Sequence, residues 1–360
     1  MSDTPVDPAL ATLGEFGLIG WIRARAGQRA TGTVLGIGDD AAILRVPPDE
    51  ELLLTTDMLL EGVHFRREWG SWQALGRKTL AVNVSDIAAM GGRPHQAFLG
   101  LGLPANIALA DLDRFFEGLE AEAALWGVTV AGGDTCRSQS GLVLSVTLAG
   151  TVKRGEAIRR SEGRPGDRVW VTGRLGASAA GLLALERGLR PGAPWPSGLP
   201  RPPWLGDAEE AALQEGIAAH LTPVPRVAAG QALVGCARAM LDLSDGIASD
   251  IGHLCQESGV GACICADQVP VHPAARVAAR WTGSDALALA LTGGEDYELL
   301  FAAATDPAPR LAGAAPALAV TAIGKLEAGA PPARLELPNG HTTELRGGFD
   351  HFRSGVAAPY

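Results

Sequence analysis

The order of apolar and polar positions predicts alternating strands and helices in the first half of the chain. ELLLTTDML (51–59) is rich in apolar and β-branched residues and closes on Asp57, which indicates a buried strand. SWQALGRKTLAVNVSDIAAMGG predicts a helix with Ser71 as its N-cap and Gly91–Gly92 as its stop. DLDRFFEGLEAEAALWG repeats apolar residues every three or four positions, as an amphipathic helix does. HQAFLGLGLP and LVLSVTLAGTV (142–152) predict two further strands.

The second half repeats this mixture. RVWVTGRLGASAAGLLALERG predicts a strand, a glycine loop and a helix that ends at Gly188. A helix near 226–238, a short strand around 239–243 and a helix in GIASDIGHLCQES follow, and ALALALTGGEDYELLFAAA predicts a helix, a double-glycine turn and a strand. We therefore predict an α/β (α+β) fold with two domains, 14–154 and 155–352.

Two segments predict irregular chain. The first thirteen residues are expected to form a loose tail ahead of GEFGLIGWIRARAG, a short helix that ends at Gly27. RPGAPWPSGLPRPPWLGD is dense in Pro, Gly and Trp, so we expect 189–207 to form a surface insertion, to which we assign no role.

Composition narrows the class of protein. The 360 residues are 47% hydrophobic and 19% charged, enough for roughly two domains with sizeable cores. No apolar run approaches the ~20 residues of a membrane span, and the N-terminus lacks the basic region of a secretory signal, so we expect a cytoplasmic protein. The five cysteines form no C-x-x-C pair and suit core positions in a reducing compartment. A net charge of −10 disfavours nucleic-acid binding.

Acidic residues recur where apolar segments end, often beside Gly, Ser or Thr. They occur in GIGDDAA, TTDML, NVSDIAAMGG, VAGGDTCRS, LDLSDG and TGGEDYEL, at Asp39, Asp40, Asp57, Asp86, Asp134, Asp242, Asp245, Glu295 and Asp296. Each one alone is ordinarily a helix cap or a turn residue. Asp86 differs, because it lies inside a predicted apolar helix, where a buried carboxylate needs a partner.

Together these carboxylates suggest a site for several magnesium ions. Mg²⁺ prefers oxygen ligands and typically takes one or two carboxylates, several waters and substrate phosphates. The glycines of GIGDD, AGGDT and TGRLGASAAG expose backbone N–H groups that phosphate oxygens can approach. The sequence contains no P-loop, Rossmann, H-E-x-x-H or G-x-S-x-G motif. We infer metal-dependent chemistry on nucleotide phosphates, in which cations offset the negative net charge; spacing alone goes no further.

A set of motifs resembles the thiamine-monophosphate kinase family. GEFGLI, GIGDDAAIL, TTDMLLEGVHF, KTLAVNVSDIAAMGG, GGDT, RRSEGRPGDRVWVTG, LDLSDGIASDIGH, TGGEDYELLF and GFDHF occur in family order between residues 14 and 352. The resemblance implies the two-domain fold of aminoimidazole ribonucleotide synthetase-like proteins. It also implies a homodimer in which the N-terminal domains form a shared sheet barrel, and a reaction of ATP with thiamine monophosphate that gives ADP and thiamine diphosphate.

The resemblance also assigns residues to roles. The implied Mg²⁺ ligands are Asp40, Thr55, Thr56, Asp57, Asp86, Asp134, Asp242 and Asp245. The implied ATP contacts are Gly133, Asp134, Arg160, Ser244 and Phe116, which stands where relatives can carry a tyrosine. The implied substrate contacts are His64, Glu295 and a C-terminal aromatic residue, Phe349. Taken alone, Arg160, His64 and Phe349 would be interpreted as surface, structural and packing residues. Asp39 is expected to support Asp40 or its turn.

The implied chemistry needs no catalytic base or nucleophile from the protein. A phosphate monoester has a second pKa near 6, so the acceptor is largely a dianion at neutral pH and already nucleophilic. The difficulty is repulsion between two polyanions, which Mg²⁺ can offset while aligning an in-line attack. This explains many aspartates and no evident catalytic His or Cys.

Three alternative functions fit less well. Selenophosphate synthetase needs a reactive Cys in its N-terminal region, whereas the first cysteine here is Cys136. Aminoimidazole ribonucleotide synthetase shares the implied fold, but GEFGLI and GFDHF fit it poorly. A nucleotide-binding regulator without turnover is disfavoured because the whole set of candidate carboxylates is present.

Overall fold

The chain forms two compact units. The structure, a computed structural model, describes residues 7–25, 32–37, 41–329 and 332–348. One unit comprises Met1–Ile87 and Gly92–Gly155, and the other comprises Ala88–Gly91 and Glu156–Tyr360. Within the described residues, no helix is both long and apolar enough to cross a membrane.

Among its described residues, the first unit combines a four-stranded sheet with three helices and a small two-stranded sheet. Its elements are α1 (Pro8–Arg25), β1 (Thr33–Leu35), β2 (Ile43–Leu44), β3 (Glu50–Leu60), α2 (Trp72–Ala89), β4 (Arg93–Leu103), α3 (Leu109–Trp126), β5 (Thr129–Arg137) and β6 (Val143–Lys153). The four strands are ordered β3-β6-β4-β5, with β4 and β5 parallel and the other neighbours antiparallel. Strand β3 therefore forms one edge of this sheet.

Local signals set the ends of the helices in the first unit. Ser71 accepts the backbone N–H of Ala74 at 3.1 Å, so it caps α2 as the sequence predicts. Gly127 ends α3 in the left-handed conformation, with φ of 67°. Both helices agree closely with the predicted segments.

The two faces of β3 differ. Leu53 and Leu59 are buried on one face, whereas Leu52, Leu54 and Met58 are exposed on the other. This follows from the alternation of side chains along a strand. The first unit therefore has one sheet face with a core and one face, at β3, with exposed apolar side chains.

The second unit is built on a seven-stranded sheet. Its elements are β7 (Arg168–Thr172), α4 (Ala177–Glu186), α5 (Asp207–Leu221), α6 (Val227–Ala232), β8 (Ala239–Asp242), α7 (Ile247–Ser258), β9 (Gly261–Cys265), α8 (Pro273–Thr282), α9 (Ala286–Thr292), β10 (Leu299–Ala303), α10 (Ala308–Ala314), β11 (Val320–Glu327), β12 (Arg334–Glu336) and β13 (Thr342–Glu344). The strand order is β13-β12-β9-β11-β7-β10-β8, and only the β12–β9 pair is parallel among these described neighbours.

Both faces of this sheet are buried. In β7, Val169 and Val171 join one apolar cluster with α7, while Trp170 joins another with α6 and α10. In β10, Leu300 belongs to the first cluster and Phe301 to the second. Strands covered on both faces contain continuous apolar runs, which explains why LLFAA shows no polar alternation.

The structure corrects three details of the sequence prediction. Helix α1 begins at Pro8 instead of after a loose tail of thirteen residues, and Gly14 interrupts it with φ of 62°. Proline is well suited to a first helical turn, a signal that the sequence interpretation overlooked. Helix α6 ends at Ala232, not near 238, and Gly235 then adopts φ of 71°. Strand β3 also continues past Asp57, so this aspartate lies within the strand and not at its end.

The Pro- and Trp-rich insertion is irregular, as predicted, until α5 begins at Asp207. Trp195 packs on Trp281 of α8 with 5.2 Å between ring centroids, and Arg280 lies over Trp204 at 4.1 Å. Aromatic and cation–π contacts thus hold the insertion to the helical layer of its own unit.

A buried ion pair joins three elements of the second unit. Arg226, at the start of α6, donates two hydrogen bonds to Glu298, at 2.8 and 2.5 Å. Thr172, at the end of β7, donates to the same carboxylate at 2.6 Å and accepts the N–H of Leu299 at 2.8 Å. The side chain of Glu298 is 5% exposed, so its charge depends on these partners.

We predict that Glu298→Gln lowers the free energy of unfolding by about 2–4 kcal/mol, because it leaves the largely buried guanidinium of Arg226 without its counter-charge. Urea denaturation of the purified protein measures this change. Glu344→Gln, which removes an exposed partner of Arg346, is the matched control and should leave the denaturation midpoint unchanged. Equal midpoints for the two variants would contradict the stabilising role of the buried pair.

Candidate active site

Two carboxylates of the first unit come together between β3 and α2. The hydroxyl of Thr55 donates a hydrogen bond to Oδ2 of Asp86. The charge of Asp86 also acts directly on Asp57, two residues along β3 from Thr55. The predicted grouping of Thr55, Asp57 and Asp86 therefore exists on the helix-facing side of β3.

The environment of Asp57 opposes its ionisation. Burial, and then the nearby charge of Asp86, raise the pKa of Asp57 from 3.8 to about 7. A cation between the two carboxylates would reverse this effect, because it favours the charged form of both.

Asn83 holds the main chain at this point, and sequence reasoning missed it. Its side-chain oxygen accepts the N–H of Asp57 at 3.2 Å, and the residue is 1% exposed. Asn has poor helical propensity, so its presence in the apolar run of α2 was an available signal.

Two other predicted ligands lie on the opposite face of the sheet. The hydroxyl of Thr56 is 2.5 Å from that of Thr147 on β6. Pairing also aligns Met58, Ser145, Gly100 and Asp134 in one row across the four strands, and directly paired residues share a face. The side chains of Thr56 and Asp134 therefore do not join Asp57 and Asp86 on the helix-facing side.

Gly133 is explained by packing within the first unit. It lies inside β5, where a Cβ atom would sit 2.0 Å from the carbonyl oxygen of Leu99 on β4. The GGDT segment is thus part of a strand and not a free phosphate-binding loop. The glycine permits the close approach of the two strands.

His64 is held in one tautomer when neutral. Its Nδ1 atom accepts the N–H of Leu60 at 3.0 Å, so the proton of the neutral ring lies on Nε2. Nζ of Lys78, which is 2% exposed, lies 3.4 Å from the carbonyl oxygen of His64 and supports the same turn. His64 can thus present an N–H donor.

Phe116, a predicted nucleotide contact, is buried in the core of the first unit. It is 2% exposed and packs edge-on against Trp21 and Phe115, with centroid distances of 5.3 and 5.5 Å. Its side chain belongs to the core between α1 and α3. Two other predicted site residues, Asp40 and Phe349, and Asp39 beside Asp40, lie outside the described residues.

The two carboxylates of the LDLSDG segment lie near a third one, Asp250 of α7, in the second unit. Strand β8 ends at Asp242, and Asp245 follows in the turn before α7. Asp250, which the sequence interpretation missed, accepts the N–H of Asp245 at 3.2 Å and is 3% exposed. Burial and the charges of Asp245 and Asp242 raise the pKa of Asp250 well above its usual range.

Arg160 lies beside this acidic cluster. Its charge lowers the pKa of Asp250, against the larger effects of burial and neighbouring carboxylates. The adjacent Arg159 fixes the main chain, since its carbonyl oxygen accepts the N–H of Met240 on β8 at 3.1 Å. The predicted phosphate ligand Arg160 and the predicted metal ligands of LDLSDG are therefore neighbours in one unit.

The TGGEDYEL segment lies against LDLSDG. The N–H of Glu295 donates to the carbonyl oxygen of Ser244 at 2.8 Å. A Cβ atom on Gly294 would sit 2.4 Å from the same oxygen, which explains the glycine. Glu295 and Tyr297 both adopt positive φ, 64° and 49°, an uncommon conformation for residues with side chains. Backbone strain of this kind is concentrated at functional sites, so the segment is a candidate part of the site.

The donor set suits magnesium, although the protein alone does not complete a site. Across the part of the chain that the structure describes, no three His, Cys, Asp or Glu side chains are grouped so that they could hold a metal ion. Asp57, Asp86 and Thr55 supply oxygen atoms only, and the raised pKa of Asp57 shows that added positive charge would be favourable. Mg²⁺ commonly takes one or two carboxylates and completes its coordination with water and phosphate.

Comparisons with known proteins show which family and which fold this chain is similar to. The model of AIR synthase related protein, N-terminal domain, matches residues 38–152. The crystal structure of thiamine-monophosphate kinase from Stenotrophomonas maltophilia K279a is 38% identical, with a TM-score of 0.74 over 89% of this chain and 95% of that chain. The structure of AaThiL complexed with AMPPCP and TMP is 34% identical, with a TM-score of 0.71 over 95% of this chain and 98% of that chain.

The identity to one known relative, over most of both chains, shows the family of this chain. Thiamine-monophosphate kinase of Salmonella typhimurium is 38% identical over 288 residues, which are 80% of this chain and 82% of the relative. The matched part thus extends well beyond the N-terminal family model and includes both units. The chain belongs to the thiamine-monophosphate kinase family.

Proposed function

We propose that this chain transfers the terminal phosphoryl group of ATP to thiamine monophosphate, which gives thiamine diphosphate and ADP. The observation that carries the proposal is the similarity, over 95% of the chain, to a structure complexed with AMPPCP and TMP. AMPPCP is an analogue of ATP, and TMP in a protein of this family is thiamine monophosphate. An ATP-dependent kinase without a membrane-spanning helix among its described residues is consistent with a cytoplasmic location, which we also propose.

The acceptor group explains why the site is rich in carboxylates and lacks an evident general base. The phosphate of thiamine monophosphate is already anionic and nucleophilic at neutral pH. What the protein must do is hold two polyanions together in line. This role requires positively charged and N–H groups around the phosphates and places for cations.

Magnesium ions, when bound, would offset phosphate charge and align the reacting groups. In the first unit, Asp57 and Asp86 would hold Mg²⁺, with Thr55 orienting Asp86. In the second unit, Asp242 and Asp245 would do so. We retain Asp40, Thr56 and Asp134 as proposed magnesium ligands; because Thr56 and Asp134 lie on the other face of the sheet, they would hold a separate ion there.

The remaining residues divide between nucleotide and acceptor. Arg160 offers a planar guanidinium fork suited to phosphate oxygens, and Ser244, Gly133 and Asp134 are the other proposed ATP contacts. Nε2–H of His64 can donate to the acceptor phosphate. The carboxylate of Glu295 matches the positive charge of the thiazolium ring, and Phe349 is proposed to stack on thiamine. Burial of Phe116 removes the support for its predicted nucleotide contact.

We also propose that the chain forms a homodimer through its first unit. Leu52, Leu54 and Met58 on the edge strand β3 are 45%, 64% and 53% exposed. An exposed apolar edge strand invites pairing with another chain, and a second copy can cover it. This agrees with the shared barrel that the family resemblance implies.

Our first functional prediction concerns the acceptor. The protein should convert thiamine monophosphate to thiamine diphosphate in the presence of ATP and Mg²⁺. It should phosphorylate free thiamine poorly, because an alcohol, unlike an anionic phosphate, has to be deprotonated by a general base, and none was identified among the described residues. Chromatographic separation of the thiamine species measures both reactions. Efficient phosphorylation of free thiamine would refute the mechanism.

Our second prediction concerns the paired carboxylates. Asp57→Asn and Asp86→Asn should each lower turnover about 10²–10³-fold, because each removes an anionic ligand that stabilises the transition state through Mg²⁺. High Mg²⁺ should restore part of the activity. Asp49→Asn, at an exposed turn of the same unit, is the control and should retain normal turnover. Near-normal turnover of Asp86→Asn at ordinary Mg²⁺ would remove it from the ligand set.

The Asp57→Asn variant should also be more stable than the parent at high pH, although its turnover is lower. The folded pKa of about 7 lies above the ordinary 3.8, so the metal-free parent loses stability as pH rises through this window. Asparagine does not ionise, so Asp57→Asn should not show this loss. Its free energy of unfolding at pH 8 should exceed that of the parent by on the order of 2 kcal/mol, with a smaller difference at pH 5. Thermal melts in EDTA test this; a less stable variant at pH 8 would contradict it.

Our third prediction concerns assembly. The double variant Leu54→Glu/Met58→Glu should shift the protein from dimer to monomer in multi-angle light scattering, because it places charges on the apolar edge of β3. Val224→Glu, at a similarly exposed apolar residue of the second unit, should remain dimeric. A parent protein that is monomeric at working concentration would overturn the proposal.

A further inference from the structure

His220 is a buried histidine that contacts a proposed substrate ligand. Its side chain is 3% exposed, and its Nδ1 atom lies 3.1 Å from Oε2 of Glu295. The same Nδ1 atom lies 3.0 Å from the hydroxyl oxygen of Ser178. A proton on Nδ1 is therefore within hydrogen-bond distance of both oxygen atoms.

The elements that carry His220 and Ser178 are tightly packed. Ser178 lies in the first turn of α4, and His220 lies in the last turn of α5. The two helices approach so closely that a Cβ atom on Gly181 would sit 2.1 Å from the carbonyl oxygen of Gly216. Packing of this kind leaves His220 little freedom to move away from Glu295.

Hydrogen bonds to the neighbouring residue Asp296 restrict the backbone of Glu295. Asp296 accepts the N–H groups of Gly176 and Ser178 at 2.6 and 3.2 Å, so it binds the N-terminal end of α4. These bonds help to maintain the positive φ of Glu295 and of Tyr297. Only 22% of the Glu295 side chain is exposed, and His220 contacts its carboxylate group.

We propose that His220, together with Ser178, is a positioning residue that fixes the carboxylate of Glu295 for binding of the thiamine part of the acceptor. This inference rests on the proposed function, in which Glu295 contacts thiamine monophosphate. A carboxylate anchored through one oxygen loses rotational freedom before the substrate arrives, so less entropy is lost on binding. A histidine with a purely structural role would instead affect stability without distinguishing the two substrates.

Two matched variants isolate the Nδ1 contact. His220→Asn places an amide nitrogen near the position of Nδ1, whereas His220→Gln places it near Nε2. We expect His220→Gln to raise the KM for thiamine monophosphate about tenfold, as loss of one hydrogen bond to a charged group would, with less than a twofold change in the KM for ATP. His220→Asn should recover most of the affinity. Calorimetric titration of thiamine monophosphate without ATP gives an independent dissociation constant.

His272→Leu is the stability control. Nδ1 of His272 accepts the N–H of Ala274 at 3.1 Å and caps α8, which packs in the same helical layer. Its replacement should lower the melting temperature and leave the KM for thiamine monophosphate unchanged.

The double variant His220→Gln/Glu295→Gln tests whether His220 acts through Glu295. If it does, the double variant should bind thiamine monophosphate no more weakly than Glu295→Gln alone. Additive effects, or an equal rise in KM for both substrates in His220→Gln, would overturn the inference. An unchanged KM in Glu295→Gln would also overturn it while leaving the kinase activity intact, whereas a parent without thiamine-monophosphate kinase activity would refute the proposed function itself.

Discussion

The cost of holding carboxylates out of water is the constraint on which the candidate ligand groups of each unit depend. Asp57 and Asp86 face one another in the first unit, and Asp242, Asp245 and Asp250 lie together in the second. In both places burial and like charge disfavour ionisation. In the proposed function, bound cations and the substrate phosphates would reverse this balance, so binding would relieve the repulsion between the carboxylates.

The structure distinguishes this arrangement from an ordinary buried charge. Glu298 is as deeply buried, but Arg226 and Thr172 neutralise and hydrogen-bond it within the folded protein. That network joins β7, β10 and α6 and needs no ligand. The carboxylate that stabilises the fold is paired with a cationic side chain of the protein. The carboxylates that are proposed to bind metal lie beside other carboxylates instead.

Backbone strain and tight packing both restrict the conformation of Glu295. Its positive φ costs free energy, which is offset by the hydrogen bonds of Asp296 to the start of α4 and by the pairing of the segment with LDLSDG. His220 then orients the carboxylate from a tightly packed helix. The proposed acceptor side of the site is thus organised before ligands bind, which is the condition for precise alignment of two anionic groups.

The sequence by itself determined the local elements and the chemistry. Ser71 and Gly127 mark helix ends, the apolar run of β10 reports a strand covered on both faces, and the recurrent aspartates indicate oxygen ligands for a hard cation. These features depend on short-range geometry and residue type, which the sequence states directly. Its errors were local as well: the start of α1, the end of α6 and the continuation of β3 past Asp57 depend on weak signals that packing overrides.

Only the tertiary structure decided which of the candidate residues meet. Thr56 follows Thr55 directly, yet alternation along β3 sends its hydroxyl to Thr147 on the opposite face. Phe116 enters a core with Trp21. In the first unit Asn83 holds the main chain of Asp57, and in the second unit Asp250 contacts Asp245 and His220 contacts Glu295. The reason is physical: strand pairing joins residues that are far apart in the chain, as Val320 of β11 and Thr172 of β7 are, and no local pattern encodes such a contact.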